Sequence, residues 1–308
     1  MREMVILHVY IVPTYDCDLK CPNCYSKKYK NQYPSYLSWI DFVQAFDYFK
    51  FKTKNVSFIG GEPTKWKFIN EALMYLEDRN FITGIFTNCL KATRYMPRYV
   101  IVNGTNLLDD EFKSLIVKNI RKYMRNGVKI RLRFNLSQSI TNTNISEMIS
   151  LSKKYANSVS LSLQFPTPFN QEIGEVLYML SRALTDRSIR TKISRAIPLC
   201  IFTTEQIEYL KKNCKLSGQC PLPSKSIVIN PDGETIQPCV ELDIRRSLVE
   251  WSKNPSKNYF SEEIEKLRHI LPIFCKDCIF FANYQCCCGC LSYKTKSFLP
   301  VNKAWGKP

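Results

Sequence analysis

The sequence predicts an α/β fold: a partial (β/α)6 barrel over residues 1–198, a small cysteine-rich domain containing a β-hairpin over 199–295, and a C-terminal tail over 296–308. Three observations carry this expectation. Strand-like and helix-like stretches alternate through the first two thirds of the chain, the signature of βα units around a parallel sheet. Two of the strands alternate apolar and polar side chains, so one face of each lines water or ligand instead of a packed layer. Ten of the fourteen cysteines fall after residue 199, which sets the last third apart.

Six strands are expected, in order Val5 to Val12, Val56 to Ile59, Gly84 to Thr87, Tyr99 to Val102, Lys129 to Leu136 and Ser158 to Phe165. Between the first two, Ser38 and Asp41 stand in capping spacing ahead of Trp39, Phe42, Val43, Phe46 and Phe49 on one helical face. A second helix carries Phe112, Leu115, Ile116, Ile120 and Tyr123 and stops at Asn126-Gly127. A third is read as starting at Asn144 with Glu147 as its capping partner, and a long one spans Gln171 to Ile189. In the fifth strand Ile130, Leu132, Phe134 and Leu136 share one face, and Lys129, Arg131, Arg133 and Asn135 the other. With helices outside, the charged face points inward, where Arg131 and Arg133 are candidates for holding a carboxylate. Six right-handed crossovers curl such a sheet into an open, partial barrel.

Composition narrows the chemistry. A chain of 308 residues, 45% hydrophobic, buries a sizeable core. Fourteen cysteines in a chain without a secretory signal point to a reducing cytoplasm and to thiols kept for metal. No apolar run approaches a membrane span. The two histidines, His8 and His269, leave little room for imidazole chemistry and read as packing or surface residues. The formal charge of +17 gathers on runs such as Lys118, Arg121, Lys122 and Arg125, and Arg182, Arg187, Arg190, Lys192 and Arg195. Such runs line solvated helix faces or attract an acidic partner. No recognisable RNA-binding module accompanies them, so nucleic acid is not expected.

The motif that carries most is Cys17-x3-Cys21-x2-Cys24, three thiolates on one short loop. A four-iron cluster held by three cysteines keeps one iron open, as catalytic metal sites keep one position open. Read alone, the spacing also suits a zinc knuckle. About forty residues on, Val56-Ser57-Phe58-Ile59 runs into Gly60-Gly61-Glu62-Pro63. Together these segments resemble the radical S-adenosylmethionine (radical SAM) superfamily. The resemblance implies the same partial (β/α)6, TIM-like barrel, a [4Fe-4S] cluster on Cys17, Cys21 and Cys24, and S-adenosylmethionine chelating its open iron. One electron then splits the sulfonium, and the 5′-deoxyadenosyl radical takes hydrogen from a substrate. It further implies that Gly60 and Gly61 let the backbone approach the methionine moiety, with Glu62 and the Pro63 turn orienting its ammonium. Thr87, Asn88, Asn103 and Asn135 resemble positions near the methionine and ribose. Asn23 stands where the family often has an aromatic residue, and Tyr25 is expected to cover the cluster instead.

In the last third, Ser226 to Cys239 reads as a β-hairpin turning at Asp232-Gly233. Cys220, Cys239 and the pair Cys275-x2-Cys278 resemble the auxiliary-cluster site of the SPASM domain or its shortened Twitch form, implying at least one auxiliary [4Fe-4S] cluster. Zinc is the rival at these thiols, because spacing alone does not separate the two. Cys214, Cys286, Cys287, Cys288 and Cys290 exceed one cluster's needs, and a second site, with Cys200 or Cys214 among its ligands, stays open. Cys89 reads as a small buried hydrophobe.

The expected function is that of a radical SAM enzyme acting on an acidic substrate. Relatives with such C-terminal domains modify ribosomally made peptides, and that is the first reading; a small alcohol or sugar dehydrogenase is the second. A third, of another class, is a non-catalytic iron-sulfur or zinc protein binding an acidic partner. With the first strand read from Val5, no separate N-terminal leader-binding domain is expected. The electron donor would be a reductase or a flavodoxin- or ferredoxin-type protein.

Overall fold

The computed structural model describes residues 8–21, 24–137, 139–164, 170–222, 226–254, 259–271 and 275–292. Residues 1–7, Asn23, Phe165 and the 296–308 tail, all named above, lie outside them.

Strand β1 (His8–Ile11) leads through the cysteine loop to α1 (Trp39–Phe49), whose N-cap Ser38 accepts from Asp41 N as the spacing predicts. Then come β2 (Asn55–Phe58), α2 (Ile69–Glu77), β3 (Ile82–Thr87), β4 (Tyr99–Asn103), α3 (Asp110–Arg125) and β5 (Lys129–Leu136). Helix α4 (Asn142–Tyr155) starts earlier than expected. Thr141 and Asn144 form its capping box, and Glu147 instead pairs with Lys113. Strand β6 (Ser158–Leu163) precedes α5 (Gln171–Thr185), which stops short of Ile189 because Ser188 turns left-handed at φ 58°. After it come β7 (Thr191–Ile193), α6 (Thr204–Cys214), β8 (Ser226–Ile229), β9 (Thr235–Gln237), β10 (Arg246–Ser247), α7 (Leu248–Lys253), α8 (Ser261–His269) and α9 (Ile279–Ala282).

The chain forms two compact units. The first comprises Met1–Val102, Ser114–Lys129 and Leu222–Glu263, the second Asn103–Lys113, Ile130–Pro221 and Ile264–Pro308.

In the first unit the strand order is β10-β9-β8-β1-β2-β3-β4. The four barrel strands are parallel, and β8 joins them, pairing parallel with β1 from His8↔Ser226 to Ile11↔Ile229. The hairpin β8-β9 turns where expected, with Gly233 at φ +70° donating to Asn230 O. An aromatic core of Trp39, Phe42, Phe46, Phe49, Trp66, Tyr75 and Phe81 packs largely edge to face between the helices, with Phe58 of β2 tilted against Trp66. Each of the fully buried members adds about 1.5–3 kcal/mol of apolar burial. Trp66 also donates its indole N–H to Leu37 O at 2.7 Å. Helix α3 buries Ile116, Asn119, Ile120 and Tyr123, whereas Leu115, expected inside, is 42% exposed. Adjacent helical residues lie about 100° apart, so Ile116 and Leu115 cannot both face the core.

In the second unit β5, β6 and β7 are parallel, in register from Arg131↔Ser158 to Leu136↔Leu163 and from Val159↔Thr191 to Leu161↔Ile193. The β5 alternation is as read: Ile130, Leu132, Phe134 and Leu136 are buried, with Arg131, Arg133 and Asn135 between them half-buried. Helices α4 and α5 bury Met148, Leu151, Ile173, Leu177, Leu180 and Leu184.

Candidate active site

The cysteine loop is held by backbone bonds on two sides. Val12 N–H donates to Ile229 O at 2.9 Å, and Ile59 N–H to Ile11 O at 2.9 Å. Past the strand ends, Gly61 N–H reaches Thr14 O at 2.9 Å and Glu62 N–H reaches Asp16 O at 2.7 Å. The Gly-Gly-Glu-Pro loop is thereby zipped to the residues just before Cys17. Glycine is required for that approach: a Cβ on Gly61 would stand 2.1 Å from Asp16 O, and Gly60 sits at φ +139° with its Cβ position 2.4 Å from Thr14 O.

Tyrosines hold the other flank. Tyr15, Tyr29 and Tyr33 pack together with ring centroids 5.0 to 6.2 Å apart, and the buried Tyr15 hydroxyl donates to Asn230 Oδ1 at 2.7 Å. The cysteine loop is thereby tied to the hairpin turn. Tyr25, expected over the cluster, donates its hydroxyl to Gly60 O at 2.8 Å and so pins the loop's two walls together. Lys30 and Lys65 both bond Asp16 and hold its carboxyl down to about 2, while Lys65 also reaches Asp18 at 3.1 Å.

Cys17, Cys21 and Cys24 are partly exposed thiols on this one loop. Cys17 Sγ accepts from Leu19 N–H at 3.4 Å and from Asn88 Nδ2 at 3.8 Å, and Cys24 Sγ lies 3.0 Å from Ser26 Oγ. Burial pushes the Cys17 thiol up to about 11 and raises that of Cys21. A bound metal reverses that preference and takes the thiolate outright. Among the described residues no three His, Cys, Asp or Glu side chains are arranged to hold a single ion. A four-iron cluster asks for something else, since each cysteine binds its own iron. Three thiols on one loop, with N–H donors aimed at Cys17 Sγ, fit that demand.

Glu62 is buried beside them, and burial raises its carboxyl above the usual range. Its Oε1 accepts from Thr64 N–H, Thr64 Oγ1 and Thr87 Oγ1 at 3.2, 2.8 and 2.8 Å, and its Oε2 from Asn88 N–H at 2.7 Å. Thr87 and Asn88, named from the sequence, therefore bracket Glu62 at the end of β3, and Pro63 opens the 3-10 turn that follows. Cys89 is fully buried, as expected. His8, read as a packing residue, is half-buried, with Nε2 2.8 Å from Ser57 Oγ, which lies 2.7 Å from Tyr99 OH. A cleft of about 630 Å³ lies behind the glycine loop, lined by Tyr36–Ile40 and Lys65–Phe68 and by none of the three thiols.

In the second unit, Asn103 Nδ2 donates to Asn106 Oδ1 at 3.2 Å, and Asn135 Oδ1 accepts from Ser162 Oγ. Register places Arg133, Ser160 and Lys192 in one row across β5, β6 and β7. Arg131 Nε donates to Ser158 Oγ at 3.1 Å one row below. The sequence does not mark Lys192 as a site residue, because its three-residue strand is too short to show alternation. Burial, then Arg131 and Arg133, bring its ammonium down to about 8.

All fourteen cysteines stand as thiols. Cys239 is partly exposed just past β9 in the first unit, while Cys220, Cys275 and Cys278 belong to the second. Cys278 N–H bonds Cys275 O at 3.3 Å in a tight turn. A hydrogen bond from Cys220 is the main cause that lowers the Cys290 thiol below the usual range.

The profile of the Radical SAM superfamily matches residues 11–191, more than half the chain and the whole stretch from the cysteine loop to β7. The chain belongs to the radical SAM superfamily. It is therefore an enzyme of the class that uses S-adenosylmethionine with a [4Fe-4S] cluster. Among solved structures it is similar to Streptococcus suis SuiB bound to S-adenosylmethionine, with TM-score 0.62 at 16% identity over 89% of this chain and 71% of SuiB. It is also similar to anSMEcpe with bound AdoMet, with TM-score 0.65 at 15% identity over 92% of this chain and 89% of that one. SuiB bound to its precursor peptide SuiA matches with TM-score 0.59 at 15% identity, over 82% and 66% of the two chains. These likenesses bear out the α/β partial-barrel fold. No curated protein matches the chain.

Proposed function

We propose that this radical SAM enzyme modifies a ribosomally made peptide, with Cys17, Cys21 and Cys24 holding the radical-generating cluster. When bound, that cluster supplies the electron that splits S-adenosylmethionine, and the adenosyl radical abstracts hydrogen from the peptide. The observation that carries the site assignment is the zipped pair of loops. They tie the loop that carries the three thiols to Gly60-Gly61 and to the buried Glu62, whose Oε2 accepts a single N–H, from Asn88. Gly60 and Gly61 admit the methionine backbone, Glu62 orients its amine, and Thr87 and Asn88 hold Glu62 in place. By the family resemblance, Asn103 and Asn135 are further proposed cofactor-binding residues.

Peptide as substrate is supported by two of the fold neighbours, SuiB bound to the precursor peptide SuiA and anSMEcpe with AdoMet and the Cp18Cys peptide. The net charge of +17 and the row of Arg133 and Lys192, with Arg131 below, suit an acidic one. The thiols after residue 199 support a SPASM- or Twitch-like auxiliary cluster, for which spacing proposes Cys220, Cys239, Cys275 and Cys278. Among the described residues no helix is long and apolar enough to cross a membrane, and a reducing cytoplasm with a flavodoxin- or ferredoxin-type donor suits the thiols.

The test is anaerobic turnover of reconstituted enzyme with S-adenosylmethionine and short peptides encoded beside its gene. Peptide-dependent 5′-deoxyadenosine with matching hydrogen loss or solvent deuterium uptake in the peptide is the expected result. Stimulation by small alcohols or sugars and by no peptide would replace this reading with the dehydrogenase.

A further inference from the structure

In the first unit a single ammonium spans the two residues that flank Cys17. Lys65 Nζ lies 2.7 Å from Asp16 Oδ2 and 3.1 Å from Asp18 Oδ1, and Lys30 Nζ takes the other Asp16 oxygen at 2.8 Å. Two cations thus neutralise two carboxylates, and among the described residues Asp18 pairs with Lys65 alone. The backbone beneath that lysine is fixed by other contacts. Lys65 ends the 3-10 turn Pro63–Lys65, between Thr64, which is buried and bonds Glu62 Oε1 through its N–H and its hydroxyl, and Trp66, which is buried and donates to Leu37 O. The Glu62 N–H bond to Asp16 O then brings this turn alongside the cysteine loop. An exposed ion pair contributes little when two long side chains must be ordered to form it. Here the lysine stands on an ordered base and its partners are short.

These pairs hold the stretch that presents the first thiol. Asp16 N–H donates to Thr14 Oγ1 at 2.9 Å, and Leu19 N–H donates to Cys17 Sγ at 3.4 Å. Asp18 is the residue between Cys17 and Leu19, so a held Asp18 carboxylate limits where Leu19 N–H can point. Charge acts in the same direction. A carboxylate left uncompensated next to Cys17 would oppose the negative charge that thiolates bring to a cluster, and net charge is one of the quantities that set a cluster's reduction potential.

We infer that Lys65 is a positioning residue for the radical chemistry: it clamps Asp16 and Asp18, holds the stretch that presents Cys17 and cancels the negative charge beside it. The inference rests on the reading above in which Cys17, Cys21 and Cys24 hold the first cluster. Lys65 touches neither thiol nor cofactor in this role and acts through the two aspartates. Lys67, two residues on, supplies the control. It is exposed, lies over the Phe68 ring at 4.7 Å from its centroid and makes no ion pair among the described residues.

The test uses the full chain, reconstituted anaerobically with iron and sulfide, beside the same chain with Cys17, Cys21 and Cys24 replaced by Ala. The EPR signal of reduced protein that is present in the first and missing from the second belongs to the loop's cluster, and its midpoint potential is titrated. Lys65→Met should move that midpoint to a more negative value, because an uncancelled carboxylate opposes the added electron. It should also release the loop's iron to a chelator about threefold faster, the scale of one lost exposed ion pair. Lys65→Arg should restore both, and Lys67→Met should change neither. Asp18→Asn alone should move the midpoint the opposite way, and added to Lys65→Met it should return the midpoint most of the way to wild type, as coupled partners do. A Lys65→Met protein with wild-type midpoint and iron release, a shift that Lys67→Met shares, or an Asp18→Asn protein with an unmoved midpoint overturns the clamp and leaves the cluster reading standing. A full chain with no signal beyond that of the triple Ala protein overturns the cluster reading and the clamp with it.

Discussion

Replacing Gly61 with Ala tests the zipped loops. The new Cβ would lie 2.1 Å from Asp16 O and 2.6 Å from the carbonyl carbons of Asp16 and Tyr15. Every one of these atoms is backbone, so no flexible side-chain end can yield. From 2.1 Å to the 3.4 Å of ordinary contact, the cysteine loop must retreat 1.3 Å. That retreat breaks or stretches the bonds Gly61 N–H to Thr14 O and Glu62 N–H to Asp16 O. Two hydrogen bonds at about 0.5–1.5 kcal/mol each and overpacking at about 1–3 give a local cost of about 2–6 kcal/mol. A displacement near 1 Å at a reacting centre costs on the order of 100-fold in rate. The assay is 5′-deoxyadenosine formation per folded, iron-loaded chain, with Gly127→Ala as control. Gly127 sits at φ +72° with nothing within 4 Å of its Cβ position, so Ala there meets only the left-handed backbone penalty of about 1–2 kcal/mol. Its melting temperature should fall while its rate per folded chain holds. A Gly61→Ala enzyme of wild-type rate, or equal loss in both variants, would refute the reasoning.

Three further outcomes are expected. Glu62→Gln turns one acceptor oxygen into an N–H₂ facing buried donors, either Asn88 N–H or the Thr64 and Thr87 groups, and should cost about 1–3 kcal/mol in denaturant midpoint and weaken S-adenosylmethionine binding. Tyr15→Phe strips Asn230 Oδ1 of its buried donor and should destabilise the chain by about 1–3 kcal/mol in urea titration. Burial lowers His8 from 6.5 to about 4. Between those values the unfolded chain takes a proton the folded one refuses, so stability is intact above pH 6.5 and is lost as pH falls toward 4. His8→Gln should flatten the fall of melting temperature over that window, and identical slopes for the two proteins would remove His8 as its cause.

Where the sequence was legible, local chemistry had one answer. Lys129–Leu136 matches its expected strand end to end, because four apolar residues at every second position are compatible with nothing but one buried face. Ser38 caps α1 as read, its Oγ accepting from Asp41 N–H. At Thr141-Asn142-Thr143-Asn144 the polar run offers several caps, and the choice fell to Thr141 because Glu147 is taken by Lys113. Strand β8 was expected only as half of a hairpin. Its parallel pairing with β1 is set by a partner more than two hundred residues away, which no local pattern encodes. The zipped contact of the glycine pair with the cysteine loop joins two segments the sequence already singles out, whereas Lys192 joins Arg131 and Arg133 only through register.

The pairing of β8 with β1 also gives the cysteine loop a second anchor. A loop leaving a barrel strand is normally anchored on one neighbour, here β2 through Ile59 N–H and Gly61 N–H. The hairpin supplies a second anchor, through Val12 N–H to Ile229 O and the Tyr15 hydroxyl to Asn230. Ordering a residue costs about 1–2 kcal/mol of backbone entropy, and these contacts meet that cost during folding and not when S-adenosylmethionine arrives. The hairpin's position in the same unit as β1 therefore gives the C-terminal third a part in holding the cysteine loop that does not depend on any auxiliary cluster. Replacing the cysteines after residue 199 and breaking the Tyr15–Asn230 contact are thus separable perturbations: the first leaves that bond standing, the second acts on the loop that carries Cys17.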